Sequence, residues 1–224
     1  MAGERPPGGM ASLYPFLYES SSGPTMDTVM EEVSRSTAEK AREIVALREQ
    51  VAERDGARIA ACAEAMAERF AAGGRLLSFG NGGSSTDAQD VTTTFMFPGG
   101  ESRPLPALAL TADMAVVTAL ANDIGFEVVF ARQIAAWGRP QDIALGLSTS
   151  GGSANVLAGF EQARRLGLLT IGLAGYEGGR MAEADTIDHL FVIPSSSVHR
   201  IQEAQTTVFN VLHELTLEAL GATA

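Results

Sequence analysis

Two loops in the sequence carry side chains suited to holding an anion. The first runs from Ser78 to Ser85 and reads SFGNGGSS. Gly80, Gly82 and Gly83 let the backbone turn sharply and approach a ligand closely. Asn81, Ser84 and Ser85 supply polar groups where a following helix would begin, and free N–H groups with the helix dipole favour an anion there. The second loop, Leu147 to Val156, reads LSTSGGSANV. Ser148, Thr149, Ser150 and Ser153 place four hydroxyls around Gly151 and Gly152. Hydroxyl and backbone donors converging at a helix start make a phosphate cradle without a lysine. A single capping serine in a flexible linker would need only one of those hydroxyls. Neither loop is a Walker sequence or a dinucleotide fingerprint. Beyond the first loop, Asp90 and Thr94 are four residues apart and share a helix face. Proton transfer would need a titratable group, and the candidates near the end of the chain are His199 and Glu203, again four apart, with Glu127 a further carboxylate.

Short apolar runs and helical patterns must position these loops. RLLSFG (75–80), PALAL (106–110), DIALGLS (142–148), LLTIGLAG (168–175) and HLFVIP (189–194) are strand-length and too continuous to have one wet face, as expected of parallel strands buried on both sides. Helical patterns at 84–96, 113–137, 152–166, 179–184 and 199–220 separate them. The alternation predicts an α/β fold, a three-layer sandwich with a five-stranded parallel sheet between helices. Ahead of it, MDTVMEEVSRST predicts one helix starting near Thr25. Ile44, Leu47, Val51, Ile59, Ala63 and Met66 predict a second that stops at the AGG of 72–74. Residues 1–24, rich in Gly, Pro and Ser, predict a flexible arm, and residues 25–224 a single domain.

The net charge of −11, from 16 basic and 27 acidic residues, argues against broad binding to nucleic acid or anionic membrane. A lone Cys62 rules out an intrachain disulfide or a cysteine-based zinc site. No apolar run approaches membrane-spanning length and no signal peptide is evident, so a cytoplasmic protein is expected.

GNGGSS followed by DAQ, LTADMAVVTALANDIGFEVVFARQ, STSGGSANVL, TIGLAGYEGGRMAEAD and RIQEA occur in one order. Together they resemble the sugar isomerase (SIS) domain family, in particular its phosphoheptose isomerase group. The resemblance implies a flavodoxin-like five-stranded sheet, a homotetramer with sites at subunit interfaces, and a substrate such as sedoheptulose 7-phosphate. It assigns phosphate to Ser148, Thr149, Ser150 and Ser153. It assigns sugar contacts to Asn81, Gly82 and Ser84, and a place in the pocket wall to Asp113. Of four positions that carry metal and acid/base residues in zinc-bearing members, this chain keeps Gln202. Asp90 stands for a histidine, Thr94 for the catalytic glutamate and Asn210 for a second histidine. Asp90 and Gln202 would make an all-oxygen metal site short of ligands, so neither zinc nor another cofactor is expected. Two functions stay open. One is a sugar-phosphate isomerase with altered catalytic residues. The other is a non-catalytic phosphosugar-binding regulator or protein-partner module, similar to the DnaA initiator-associating branch of the family.

Overall fold

The computed structural model describes residues 26–100 and 102–222, so the expected arm lies outside the described residues. The chain divides into two units between Arg42 and Glu43, and each is described by itself.

Instead of two N-terminal helices there is one, α1 (Met26–Ala71). The SRST stretch contains neither Gly nor Pro, and its serines and threonine fit within a helix. In the first unit this helix is exposed, with Arg35 bridging Glu32 and Glu39 one turn to either side. In the second unit Leu47, Val51, Ile59, Met66 and Phe70 form a buried stripe. Asp55 interrupts the stripe, fully buried, and is paired with Arg54 and Arg58. Those arginines also donate to the Val192 and Leu190 carbonyls, which occupies backbone acceptors of an edge strand.

The strands are β1 (Leu76–Gly80), β2 (Ala107–Ala109), β3 (Ile143–Ser148), β4 (Leu169–Gly175) and β5 (His189–Ile193). All pair in parallel, in the order β2-β1-β3-β4-β5, the flavodoxin-like order. Side chains alternate between two cores. Leu76, Leu145, Ile171 and Phe191 face one side with α1, α2 (Gly83–Met96) and α7 (Val198–Ala222). Leu77, Phe79 and Ala144 face the other, against α4 (Val129–Trp137) and α5 (Ala154–Leu166). This is a three-layer sandwich, and every residue of β1, β3 and β4 is buried.

The expected helix 113–137 is broken. α3 (Met114–Asp123) ends where the Ile124 and Gly125 amides both donate to the Leu120 carbonyl. Gly125 then takes φ 143°, open only to glycine, and a 3₁₀ turn over Phe126–Val128 leads into α4. A short α6 (Gly179–Glu183) joins β4 to β5. Among the described residues no helix is long and apolar enough to cross a membrane.

Candidate functional site

In open parallel sheets, ligands bind beyond the carboxyl ends of the strands, where the strand order reverses. Here that point lies between β1 and β3, and the two loops singled out in the sequence follow those two strands.

The loop after β3 gathers its serine hydroxyls, Ser148 buried, Ser153 partly buried and Ser150 exposed. Ser153 occupies the N-cap position of the 13-residue α5 yet makes no side-chain cap. Its Oγ lies 3.0 Å from Ser148 Oγ, and Ser150 Oγ lies 3.5 Å from the same atom. The Gly152 amide donates to Ser150 Oγ at 3.2 Å. Three hydroxyls thus gather at a helix start whose first N–H groups no side chain caps, and Thr149 beside them is partly buried. Gly151 sets the turn with φ 62°. Its carbonyl accepts from the Met181 amide at 2.9 Å, and a β-carbon there would penetrate the Gly178 carbonyl.

The loop after β1 is anchored by Ser78, buried, whose hydroxyl meets the Ala88 carbonyl at 2.7 Å and Thr92 Oγ1 at 2.8 Å across α2. Gly82 (φ 55°) starts α2, again without a side-chain cap. Ser84 is buried. Asn81 and Asn155 form a reciprocal amide pair, each Nδ2 donating to the other's Oδ1 at 2.8 Å. The resemblance gave Asn81 to the sugar; the geometry engages it with the neighbouring loop. Asn155 is buried and was overlooked in the sequence, although its place two residues after Ser153 marks the first turn of α5.

Gln202, near the start of α7, reaches α2. Its Nε2 donates to Asp87 Oδ2 at 2.7 Å. Asp87 is half-buried, and loss of water there pushes its carboxyl above the usual range; Gln202 opposes this and Asp90 adds to it. Asp87 sits one turn beyond Ser84, and only that spacing from the glycine loop marks it in the sequence. Further along, Phe95 of α2 meets the His213 ring at 4.9 Å between centroids. These two contacts bracket Asp90 and Thr94 on α2 and Asn210 on α7, so all three positions lie along one helix–helix seam. Asp90 is exposed; Thr94 and Asn210 are partly buried.

Other candidates lie elsewhere or are engaged. Glu203 pairs with Arg200 rather than with His199, because i, i+3 puts the guanidinium within reach while His199 is exposed. Glu127 is exposed in the 3₁₀ turn. Asp113 caps α3, accepting from the Ala115 and Val116 amides at 3.0 and 3.1 Å. It borders a hollow with Leu108, Met114 and Trp137 that includes no serine-loop residue. Asp90, Thr94, Gln202 and Asn210 together offer one carboxylate and neutral groups, with no imidazole or thiolate. That donor set does not fit zinc, and among the described residues no cluster of three or more His, Cys, Asp or Glu side chains could hold a metal.

The fold, the switch-point site and the sequence agree on a class. The family model for the SIS domain matches residues 41–175, and the chain belongs to that family. Curated proteins that it is similar to include phosphoheptose isomerases. That of Chlorobaculum parvum is 45% identical over 179 residues, covering 78% of this chain and 85% of the relative. That of Roseiflexus sp. (strain RS-1) is 46% identical over 158 residues, covering 70% and 79%. The solved phosphoheptose isomerase of Francisella tularensis aligns with a TM-score of 0.77 at 32% identity, over 83% of this chain and 98% of that one.

Proposed function

We propose that the chain binds a phosphorylated sugar, with the phosphate held by Ser148, Thr149, Ser150 and Ser153 and the sugar lying toward Ser84 and Gln202. The observation that carries this reading is the cluster of serine hydroxyls at the uncapped start of α5. A merely structural serine would cap the helix. The names of the relatives make a phosphoheptose such as sedoheptulose 7-phosphate the first ligand to test. The reaction that goes with such a site is aldose–ketose isomerisation.

A second reading, phosphosugar binding without turnover, rests on the chemistry of Thr94 and Asn210, which lie at the seam between α2 and α7. An enediol route needs a base beside the carbonyl carbon and an acid for the oxygen. Thr94 and Asn210 supply neither at neutral pH. The experiment is incubation with sedoheptulose 7-phosphate, with and without Zn²⁺ or Mg²⁺, following aldose formation and thermal stability together. Stabilisation with turnover supports the isomerase. Stabilisation alone supports the binding protein. Absence of both sinks the phosphosugar assignment.

We also infer self-assembly. α3 is apolar yet buries none of its residues, and Met114, Ile124, Phe126 and Trp137 are exposed.

A further inference from the structure

Beyond the phosphate cradle lies a second hollow of about 590 Å³, within the range of small-molecule sites, at the carboxyl ends of β4 and β5. Ser150, Tyr176, Glu177, Pro194, Ser195 and Ser196 line it. Nothing in the site between β1 and β3 uses it except the shared Ser150.

Its most unusual wall is Tyr176. Gly175 and Gly178 close a four-residue turn, the Gly178 amide donating to the Gly175 carbonyl at 2.8 Å, with Tyr176 and Glu177 at its tip. Tyr176 has φ 52° and is the one non-glycine among the described residues with positive φ. A bulky side chain is disfavoured there, and three of its neighbours in the turn and just after it, Gly175, Gly178 and Gly179, are glycines that would adopt it freely. Packing does not offset the strain, because Tyr176 is 41% exposed. A strained, outward tyrosine beside a ligand loop is the pattern of strain retained for binding.

The lining defines the ligand's chemistry. None of these residues is basic, and Glu177 adds a carboxylate, so an anion is disfavoured. An aromatic face, a carboxylate acceptor and three serine hydroxyls together match a neutral, polyhydroxylated molecule. The C–H face of such a molecule packs on the ring, and its hydroxyls donate to Glu177. We propose that this hollow is a binding site for a neutral carbohydrate, adjoining the phosphosugar site at the shared Ser150 but otherwise built from different residues.

The test uses the full chain in inorganic phosphate, with unphosphorylated sedoheptulose as probe and saturation-transfer NMR as readout. The unsubstituted chain should transfer saturation to the sugar. Tyr176→Gly should lose the signal with an unchanged or raised Tm, since glycine accepts φ 52° without strain. Glu177→Gln should weaken the signal, and phosphate-induced stabilisation should survive both changes. No transfer to the unsubstituted chain, or equal transfer to Tyr176→Gly, overturns the proposal. So does a change in oligomeric state of Tyr176→Gly by light scattering, which would assign the tyrosine to an interface. Loss of phosphate stabilisation in the unsubstituted chain would instead count against the cradle and leave the hollow standing.

Discussion

Asn155→Ala should unfasten the two ligand loops. The wild-type pair makes two hydrogen bonds of 2.8 Å between side chains 74 residues apart. Each is worth about 0.5–1.5 kcal/mol net, with a further cost for polar atoms left without partners. Asn81 is only partly buried, so water relieves part of that cost. The expected loss is about 2–3 kcal/mol, or roughly 5–10 °C in Tm for a unit of this size. Urea unfolding of Asn81→Ala, Asn155→Ala and the double variant forms a cycle. The double variant should cost less than the two singles combined, by about 1–2 kcal/mol. Orthophosphate should also bind Asn81→Ala more weakly, although Asn81 stands on the other loop. Single costs that add to within about 0.3 kcal/mol, with phosphate affinity unchanged, would refute the coupling.

Four further outcomes follow from the geometry. Gly151→Ala forces a β-carbon at φ 62° into the Gly178 carbonyl; thermal unfolding should show a loss of at least about 2 kcal/mol, and phosphate stabilisation should vanish. Burial lowers the His213 pKa below its usual 6.5, with Glu214 opposing; this stability is present above pH 6.5 and lost as pH falls, so His213→Phe should flatten the acid limb of Tm against pH. Asp87 has the opposite sign: its raised carboxyl pKa makes the linked stability complete at low pH and lost as pH rises, so Asp87→Asn should gain Tm on the neutral side only. If α3 is a contact between copies, Met114→Asp with Phe126→Asp should lower the mass seen by light scattering without changing far-UV dichroism.

β1, β3 and β4 were legible because burial on both faces leaves continuous apolar runs; the edge strands β2 and β5 are only partly buried, against the expectation that all five were covered on both sides, yet each expected run still contains its observed strand. The serine loop was legible because its hydroxyls cluster within six residues of chain. Helix boundaries were less so. Polar SRST looks like a terminus but contains nothing that breaks a helix, whereas Gly125 looks tolerable in a helix but takes φ 143°. Pairings across long separations left no local trace. Gln202 with Asp87, 115 residues apart, and Asn81 with Asn155 are products of the sheet order, and only the fold displays them. Nor did any pattern show that Glu203 would be taken by Arg200.

The central claim is that the Ser148–Ser153 loop holds a sugar phosphate. Its most direct measurement is calorimetric titration of sedoheptulose 7-phosphate into the chain and into the Ser150→Ala/Ser153→Ala variant. Losing two hydroxyl donors to a charged group should cost about 3 kcal/mol or more, a weakening on the order of 100-fold. Equal affinity for both proteins would contradict the account.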